Sequence, residues 1–151
     1  MKIIIGSDHR GRDLKEKIKT FLFEQAVPVI DAGPFDGEPV DYPDLGKEVA
    51  EKVSSGACER GILICGSGVG MSIVANKFPG VRAALCKDTY CARMSRNHND
   101  ANILILGADT TPQDAALVIV DTWMKSEFEG GRHQRRLDKI KEIEDAYFKR
   151  R

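Results

Sequence analysis

A cysteine stands between an apolar segment and a glycine-rich turn in GILICGSGVG, residues 61–70. A thiol at a strand end, close to the N–H groups that open the next helix, is stabilised as a thiolate, the form that acts as a base. The same N–H groups could hold an oxyanion. Cys65 beside such an anion hole suits removal of a proton next to a carbonyl group. The amides of the predicted anion hole belong to Gly66, Ser67, Gly68, Val69 and Gly70.

Three other interpretations of this stretch must be weighed. A dinucleotide-binding turn needs G-x-G-x-x-G, but Met71 replaces the third glycine, although Asp88 could stand for the acid that binds a ribose. A cysteine phosphatase needs an arginine six residues after its nucleophile, and that residue is again Met71. Cys65 could also be a core residue before a tight turn, since free cysteine is often buried.

A second polar loop, GSDHRG at residues 6–11, follows the first apolar segment. Its glycine spacing matches the start of an ATPase phosphate loop, but Arg12 and Asp13 replace the lysine and hydroxyl residue that an ATPase requires. Asp8 could cap the following helix or serve a site at the strand end. His9 is predicted to face the crevice at that strand end.

A second histidine occurs in SRNHND, residues 95–100, between a predicted helix and the fifth predicted strand. We expect His98 and Asn99 to lie near the same crevice as Cys65. There they would act as a general acid–base and as an oxyanion donor.

A pair of arginines opens the last predicted helix in EGGRHQRR, residues 129–136. Arg132 and Arg136 are four residues apart and therefore share one helix face. Two guanidinium groups could bind a phosphate there. An ordinary charged helix face is the competing interpretation, since acidic residues follow.

Short apolar segments alternate with segments of helical period along the whole chain. Leu14, Ile18 and Leu22 share one helical face, as do Leu45, Val49 and Val53. Such alternation predicts an α/β fold, a parallel five-stranded sheet covered by helices on both faces, with ligands beyond the carboxyl ends of the strands. The predicted strands are residues 2–5, 27–30, 61–65, 81–85 and 102–106.

The fifth predicted helix is apolar almost all round at residues 116–120 and leads to Trp123 and Phe128. Such a helix is either deeply buried or part of a subunit interface. We favour the interface.

Composition narrows the possible functions. The 151 residues predict one domain, 1–151, and 23 basic residues balance 23 acidic ones, so nucleic acid and membranes are not expected partners. The four cysteines form no C-x-x-C pair and the histidines lack zinc-site spacing, so no metal or cofactor is expected. Reduced thiols and the lack of a signal-like segment predict a cytoplasmic protein.

Five motifs resemble, in order and spacing, those of the type B ribose-5-phosphate isomerase family, which includes allose- and galactose-phosphate isomerases. The motifs are GSDHRG, VDYPD, CGSGVGMSIVANK, SRNHNDANIL and EGGRHQRR. The resemblance implies a Rossmann-like α/β/α sandwich and metal-free aldose–ketose isomerisation. It also implies homodimers or dimers of dimers with shared active sites, and we expect the helix from about residue 132 to pack at the subunit interface.

The resemblance assigns a role to each matching residue. It makes Cys65 the base that moves the proton between C1 and C2, and the 66–70 amides the anion hole. Asp8 and His98 would serve ring opening and proton transfer on the sugar oxygens. Ser67 would orient the sugar or the thiol, Asn99 would lie beside the intermediate, and Tyr42 would line the sugar site. The phosphate would be held by His9, Arg132 and Arg136.

The sequence departs from the family pattern at a few positions. Relatives without the cysteine use a glutamate in the following helix, but Val74 and Ala75 occupy that region here. Ser67 stands where many members have threonine, Arg10 replaces a small or apolar residue, and Pro34 follows Gly33.

From the resemblance as a whole, we predict interconversion of ribose 5-phosphate and ribulose 5-phosphate in the pentose phosphate pathway. A six-carbon sugar phosphate and a non-catalytic phosphosugar- or nucleotide-binding module are the alternatives.

Overall fold

The five predicted strands form one fully parallel sheet in the computed structural model, which describes residues 1–148. The strand order across the sheet is β2-β1-β3-β5-β4, so β3 occupies the centre. The predicted strands are confirmed, with ends that agree to within two residues. The strands are β1 (Ile3–Ser7), β2 (Val29–Asp31), β3 (Arg60–Cys65), β4 (Ala83–Leu85) and β5 (Ile103–Gly107).

Helices cover both faces of this sheet. On one face, Ile5 and Ile62 belong to a core cluster with α1, α4 and α5; on the other, Ile4 and Leu63 belong to a cluster with α2 and α3. The predicted three-layer sandwich is therefore confirmed. No helix among residues 1–148 is long and apolar enough to cross a bilayer. The helices are α1 (Arg12–Glu24), α2 (Tyr42–Ser54), α3 (Val69–Ala75), α4 (Thr89–Asn97), α5 (Gln113–Lys125) and α6 (Arg132–Tyr147).

The pairing of β1 with β3 aligns the ends from which the polar loops emerge. Ser7 is in register with Ile64, and the Asp8 N–H donates to the Ile64 carbonyl at 3.1 Å. Gly11 packs against the same segment, because a Cβ atom added there would lie 2.8 Å from the Ile64 carbonyl oxygen. The start of α1 thus packs against Ile64, the residue that precedes Cys65.

A buried lysine joins α1 to the end of β2. Lys15 is fully buried, and its Nζ donates at 2.8 Å to both Asp31 Oδ1 and the Pro34 carbonyl. Burial would raise the pKa of Asp31, but hydrogen bonds from Lys15, Lys19 and the Gly33 N–H outweigh it and lower that pKa. Lys15 borders the apolar face of α1, but the helical period alone could not show which residues its charge would meet.

The apolar helix α5 is largely explained by the core of its own chain. Ala116, Ile119, Val120 and Trp123 are buried against the sheet and neighbouring helices, whereas Val118 is 56% exposed. Of the two interpretations of this helix, deep burial is therefore correct for its main apolar face. The Trp123 ring also lies 5.2 Å from the Arg60 guanidinium and 5.8 Å from that of Arg96.

Replacing this tryptophan should destabilise the fold strongly. Trp123→Ala leaves a large cavity and should lower the free energy of unfolding by about 3–5 kcal/mol, measured by urea denaturation. Val118→Ala, on the exposed side of the same helix, should change it by no more than about 0.5 kcal/mol. Equal losses in the two variants would contradict the packing described for α5.

Candidate active site

The Cys65 thiol lies at the end of β3 against the backbone of the glycine-rich loop. Cys65 is 5% exposed, and the Gly68 N–H donates to its Sγ at 3.2 Å. The Ser67 Oγ accepts from the Val69 N–H at 3.2 Å, while the N–H groups of Gly66 and Ser67 have no acceptor within residues 1–148. The loop therefore places backbone donors around the thiol, as a base beside an anion hole requires.

Gly68 allows this loop to turn. Its φ of +79° is a left-handed conformation, and a Cβ atom there would lie 2.5 Å from Leu85 Cδ1. Both constraints favour glycine. The Gly68 N–H that meets the thiol thus depends on a conformation that other residues adopt only with strain.

Asp8 closes the turn before α1 and, among residues 1–148, keeps one carboxylate oxygen free. Its carboxylate Oδ1 accepts from the Gly11 N–H at 2.9 Å and closes the turn before α1, whose N-cap residue is Gly11 itself. Asp8 is only 6% exposed, and it follows the strand adjacent to that of Cys65. Its other oxygen has no partner within the described residues, so it is available to a ligand.

His9 and Tyr42 also lie at the edge of the sheet formed by the carboxyl ends of the strands, here called the Cys65 edge. The exposed His9 ring contacts the Val40 backbone through Nδ1 at 3.3 Å, which fixes the ring beside the segment that leads into α2. Tyr42 packs on Gly70, where a Cβ atom would lie 2.6 Å from the tyrosine ring. The structure thus brings together Cys65, Asp8, His9, Tyr42 and the predicted anion-hole loop, which surround the carboxyl ends of β1 and β3.

His98 and Asn99 lie at the opposite edge of the sheet, so their expected place near the Cys65 crevice is wrong within one chain. They connect the end of α4 to the start of β5, and the Asn99 carbonyl accepts from Arg82 Nε, just before β4, at 3.0 Å. In a parallel sheet, loops before strands and loops after strands lie at opposite edges. The length of β5 separates the two groups by roughly 15 Å.

Arg132 and Arg136 belong to this second edge. The Glu129 N–H donates to the Asn97 carbonyl at 3.0 Å, which places the start of α6 beside the end of α4. Further along α6, Glu144 Oε1 accepts from the Gly80 N–H at 2.7 Å. Both arginines are exposed, as a phosphate site would require, but they do not meet His9 within one chain.

His98 stacks on a second histidine whose role the sequence did not reveal. The rings of His98 and His133 are 4.1 Å apart and inclined by 10°. His133 is buried, and Glu129 Oε2 lies 3.5 Å from its Nε2 and 4.0 Å from that of His98. Burial lowers the pKa of His133, the charges of His98 and the two arginines add to this effect, and Glu129 opposes it.

This trio is the one group of potential metal ligands found within residues 1–148, with donor atoms within 4.8 Å of one another. Two nearly parallel rings direct their nitrogen lone pairs side by side instead of toward one point, so the observed arrangement does not fit a shared ion. The expectation that no metal is needed stays a prediction. The EGGRHQRR motif contains Glu129 and His133, but it does not predict their contact with His98, because sequence alone does not reveal ring stacking.

The loop conformation can be tested by stability. Gly68→Ala combines a strained φ with a steric conflict and should lower the free energy of unfolding by roughly 2–3 kcal/mol. Gly80→Ala is the matched control, because Gly80 has a φ of +75° but nothing within 4 Å of an added Cβ. It should cost roughly 1 kcal/mol. Equal costs in urea denaturation would show that the neighbouring backbone of Leu106 and Gly107, 3.2 and 3.3 Å from the added Cβ, does not restrict the loop.

The lowered pKa of His133 predicts a pH-dependent stability. The unfolded chain protonates this residue near the ordinary pKa of 6.5, whereas the folded chain does so only at lower pH. The stability contributed by neutral His133 is present above about pH 6.5 and is lost as the pH falls below it toward the folded-state pKa. When the pH is lowered from about 7.5 to about 5.5, the urea midpoint of unfolding should therefore fall less in His133→Asn than in the wild type. Arg135→Ala, on the same helix, should keep the wild-type slope; equal slopes in all three proteins would contradict the expectation.

Comparison with known proteins gives one consistent family. Residues 3–140 match the family described as Ribose/Galactose Isomerase. The chain is 48% identical over 143 residues to ribose-5-phosphate isomerase B of Escherichia coli, covering 95% of this chain and 96% of that protein. It superposes on Clostridium thermocellum ribose-5-phosphate isomerase B with a TM-score of 0.95 and 60% identity, covering 97% and 99% of the two chains.

The Mycoplasma genitalium ribose-5-phosphate isomerase B, solved with bound ribulose-5-phosphate, has a TM-score of 0.92 and 43% identity, with 95% and 96% of the chains covered. Each match spans almost the whole chain, including the segments that carry Cys65, His98 and Arg132. With the motifs, the fold and the glycine loop in agreement, the chain belongs to the type B ribose-5-phosphate isomerase family.

Proposed function

We propose that this protein interconverts ribose 5-phosphate and ribulose 5-phosphate by proton transfer through an enediolate. The observation that carries this proposal is the Cys65 thiol against the backbone donors of its glycine loop. Family membership supports the same activity, since the relatives from Escherichia coli and Clostridium thermocellum are named ribose-5-phosphate isomerase B. A reactive thiol of this kind must stay reduced, which fits a cytoplasmic location.

The proposed chemistry uses the thiolate as a shuttle for one proton. Cys65 takes the proton from C2 of the open-chain aldose, the electron pair forms a C1–C2 double bond, and negative charge moves to O1. Donors of the 66–70 loop stabilise this charge, with Ser67 and Asn99 beside the intermediate. The thiol then returns its proton to C1 while a proton passes from O2 to O1, which leaves the C2 carbonyl of the ketose.

Ring opening needs a proton taken from one sugar oxygen and given to another. Asp8 has an unused carboxylate oxygen at the Cys65 edge, and His98 is a half-exposed imidazole that can exchange a proton. Because His98 lies at the opposite edge of its own sheet, we propose that the imidazole of this site comes from a second copy of the chain. The same applies to Asn99, Arg132 and Arg136.

We therefore propose a homodimer in which the His98 edge of one subunit covers the Cys65 edge of the other. Exposed apolar side chains near both groups supply surface for this contact. Ile140, Ile143 and Tyr147 of α6 are 48%, 61% and 81% exposed, and Val69 and Ile73 of α3 are 51% and 57% exposed. In this assembly, His9 of one subunit and the two arginines of the other would hold the phosphate.

Proton NMR of ribose 5-phosphate in heavy water, with excess chelator, tests the reaction directly. Ribulose 5-phosphate should form, with solvent deuterium entering C1, because a thiol exchanges its proton with water between the two transfers. Conversion without deuterium would favour a hydride shift. If allose 6-phosphate reacts and ribose 5-phosphate does not, the substrate is the six-carbon alternative; if neither reacts, a binding module replaces the isomerase.

Two substitutions separate chemistry from binding. Cys65→Ala removes the general base and should lower kcat by roughly 10²- to 10⁴-fold while phosphosugar binding persists. Arg136→Ala should mainly raise KM, because it removes a charged phosphate ligand. Steady-state kinetics and calorimetry distinguish the two effects. Full turnover in both variants would refute the assignment of the site.

A mixture of two inactive subunits tests the shared site. Cys65→Ala and His98→Asn should each be nearly inactive alone. After joint refolding, a mixed dimer contains one site with both an intact Cys65 and an intact His98, so random assortment should restore about a quarter of wild-type activity. Wild-type and Cys65→Ala subunits refolded together should keep about half of the wild-type activity, which controls for the yield of refolding. No recovery in the mixture would show that both residues serve a site from the same subunit.

A further inference from the structure

The side chain of Arg10 lies across the rim of the Cys65 loop. Its Nη2 is 3.3 Å from Asp109 Oδ2. A Cβ atom added to Gly66 would lie 2.8 Å from that Asp109 oxygen, 3.4 Å from Arg10 Cδ and 3.5 Å from its Nη1. Arg10 and Asp109 therefore meet beside Gly66, the first residue of the predicted anion-hole loop.

The backbones on either side of this ion pair are fixed to the reacting strand. The Asp109 N–H donates to the Gly66 carbonyl at 2.9 Å, and the Ala108 N–H donates to the Cys65 carbonyl at 2.8 Å. Arg10 lies between Asp8, which is bonded to Ile64, and the start of α1. The backbones that carry Arg10 and Asp109 are thus anchored beside the end of the Cys65 strand, whereas the two side chains are free to move.

The ion pair itself is open to exchange. The side chains of Arg10 and Asp109 are 62% and 50% exposed. Solvent therefore screens their attraction, and the ion pair does not hold either side chain firmly in place. Arg10 makes no other polar contact within residues 1–148. A dianionic phosphate offers a guanidinium a stronger, forked partner than one exposed carboxylate.

Three other cations near β1 already make polar contacts, and Lys87, which follows β4, lines a separate cavity with Ser67, Leu85 and Thr110. Lys15 is fully buried between Asp31 and the Pro34 carbonyl, and Lys19 binds Asp31 and Glu16. Arg12 donates to the Phe35 carbonyl at 3.2 Å. The guanidinium of Arg10 is therefore the strong cation of this edge that is best placed to turn toward a ligand beside Cys65.

We propose that Arg10 binds the phosphate of the substrate alongside His9, and that Asp109 holds its guanidinium at the rim until the substrate displaces the carboxylate. This inference rests on the proposed function, because it takes a sugar phosphate as the ligand. It gives the Cys65 subunit a second phosphate ligand beside His9, in addition to the arginines proposed to come from the second subunit.

The proposal predicts opposite effects for the two members of the pair. In a Cys65→Ala background, which prevents turnover, Arg10→Ala should weaken ribose 5-phosphate binding by about 10-fold or more in calorimetry. Asp109→Asn removes the competing carboxylate and should strengthen binding by about 2- to 5-fold. Arg10→Lys should recover part of the loss. With Cys65 intact, Arg10→Ala should raise KM and leave kcat nearly unchanged.

Arg93→Ala is the matched control, since it removes one exposed positive charge from α4 and should leave binding unchanged. Inorganic phosphate is a second probe and should show the same order of affinities. If Arg10→Ala and Asp109→Asn weaken binding equally, the pair is structural and the proposal is overturned. A fall in kcat with unchanged KM in Arg10→Ala would also overturn it, because the guanidinium would then act on the enediolate.

Failure of this inference is distinguishable from failure of the proposed function. A wild-type protein that isomerises ribose 5-phosphate while Arg10→Ala binds it normally refutes only the role of Arg10. A wild-type protein that does not isomerise it, but whose binding of ribose 5-phosphate and phosphate still depends on Arg10 as described, refutes the isomerase and retains the phosphate ligand.

Discussion

The common direction of the five strands is the constraint on which the site depends. Because β1 and β3 are adjacent and parallel, the turn with Asp8 and the turn with Cys65 emerge side by side. The same direction sends the connection after α4 to the far edge, together with His98 and the start of α6. The proposed site residues thus fall into two groups at opposite edges of one sheet, and the proposed homodimer would bring the two groups together.

Backbone groups provide much of the proposed chemistry at the Cys65 edge. The Gly68 N–H meets the thiol, and close packing leaves no room for side chains at several positions of the loop. The neighbouring strand is equally close, because a Cβ atom on Gly107, at the end of β5, would lie 2.6 Å from the Ser67 carbonyl oxygen. Fixed backbone dipoles need little reorganisation when negative charge develops, which is the condition for strong stabilisation of an enediolate.

Electrostatics differ between the two edges. At the His98 edge, the lowered pKa keeps His133 mostly neutral near neutral pH, so His98 stacks on a ring that adds no full positive charge. At the Cys65 edge, Asp8 is buried by a hydrogen-bonded turn, whereas Arg10 and Asp109 face solvent. The buried groups are fixed before a ligand arrives, while the exposed pair can change partners.

The sequence by itself determined the strands, the order of elements and the chemical character of the Cys65 loop. Short apolar segments must be buried wherever they occur, and Cys65, Asp8 and His9 follow such segments directly, so their common edge could be predicted. Local patterns could not reveal that Lys15 is buried against Asp31, because that contact joins distant parts of the chain. They also misplaced His98 and Asn99, and favoured an interface for α5. Only the tertiary structure decided these points, because the edge a loop occupies and the partner that covers a side chain depend on how the whole chain is packed.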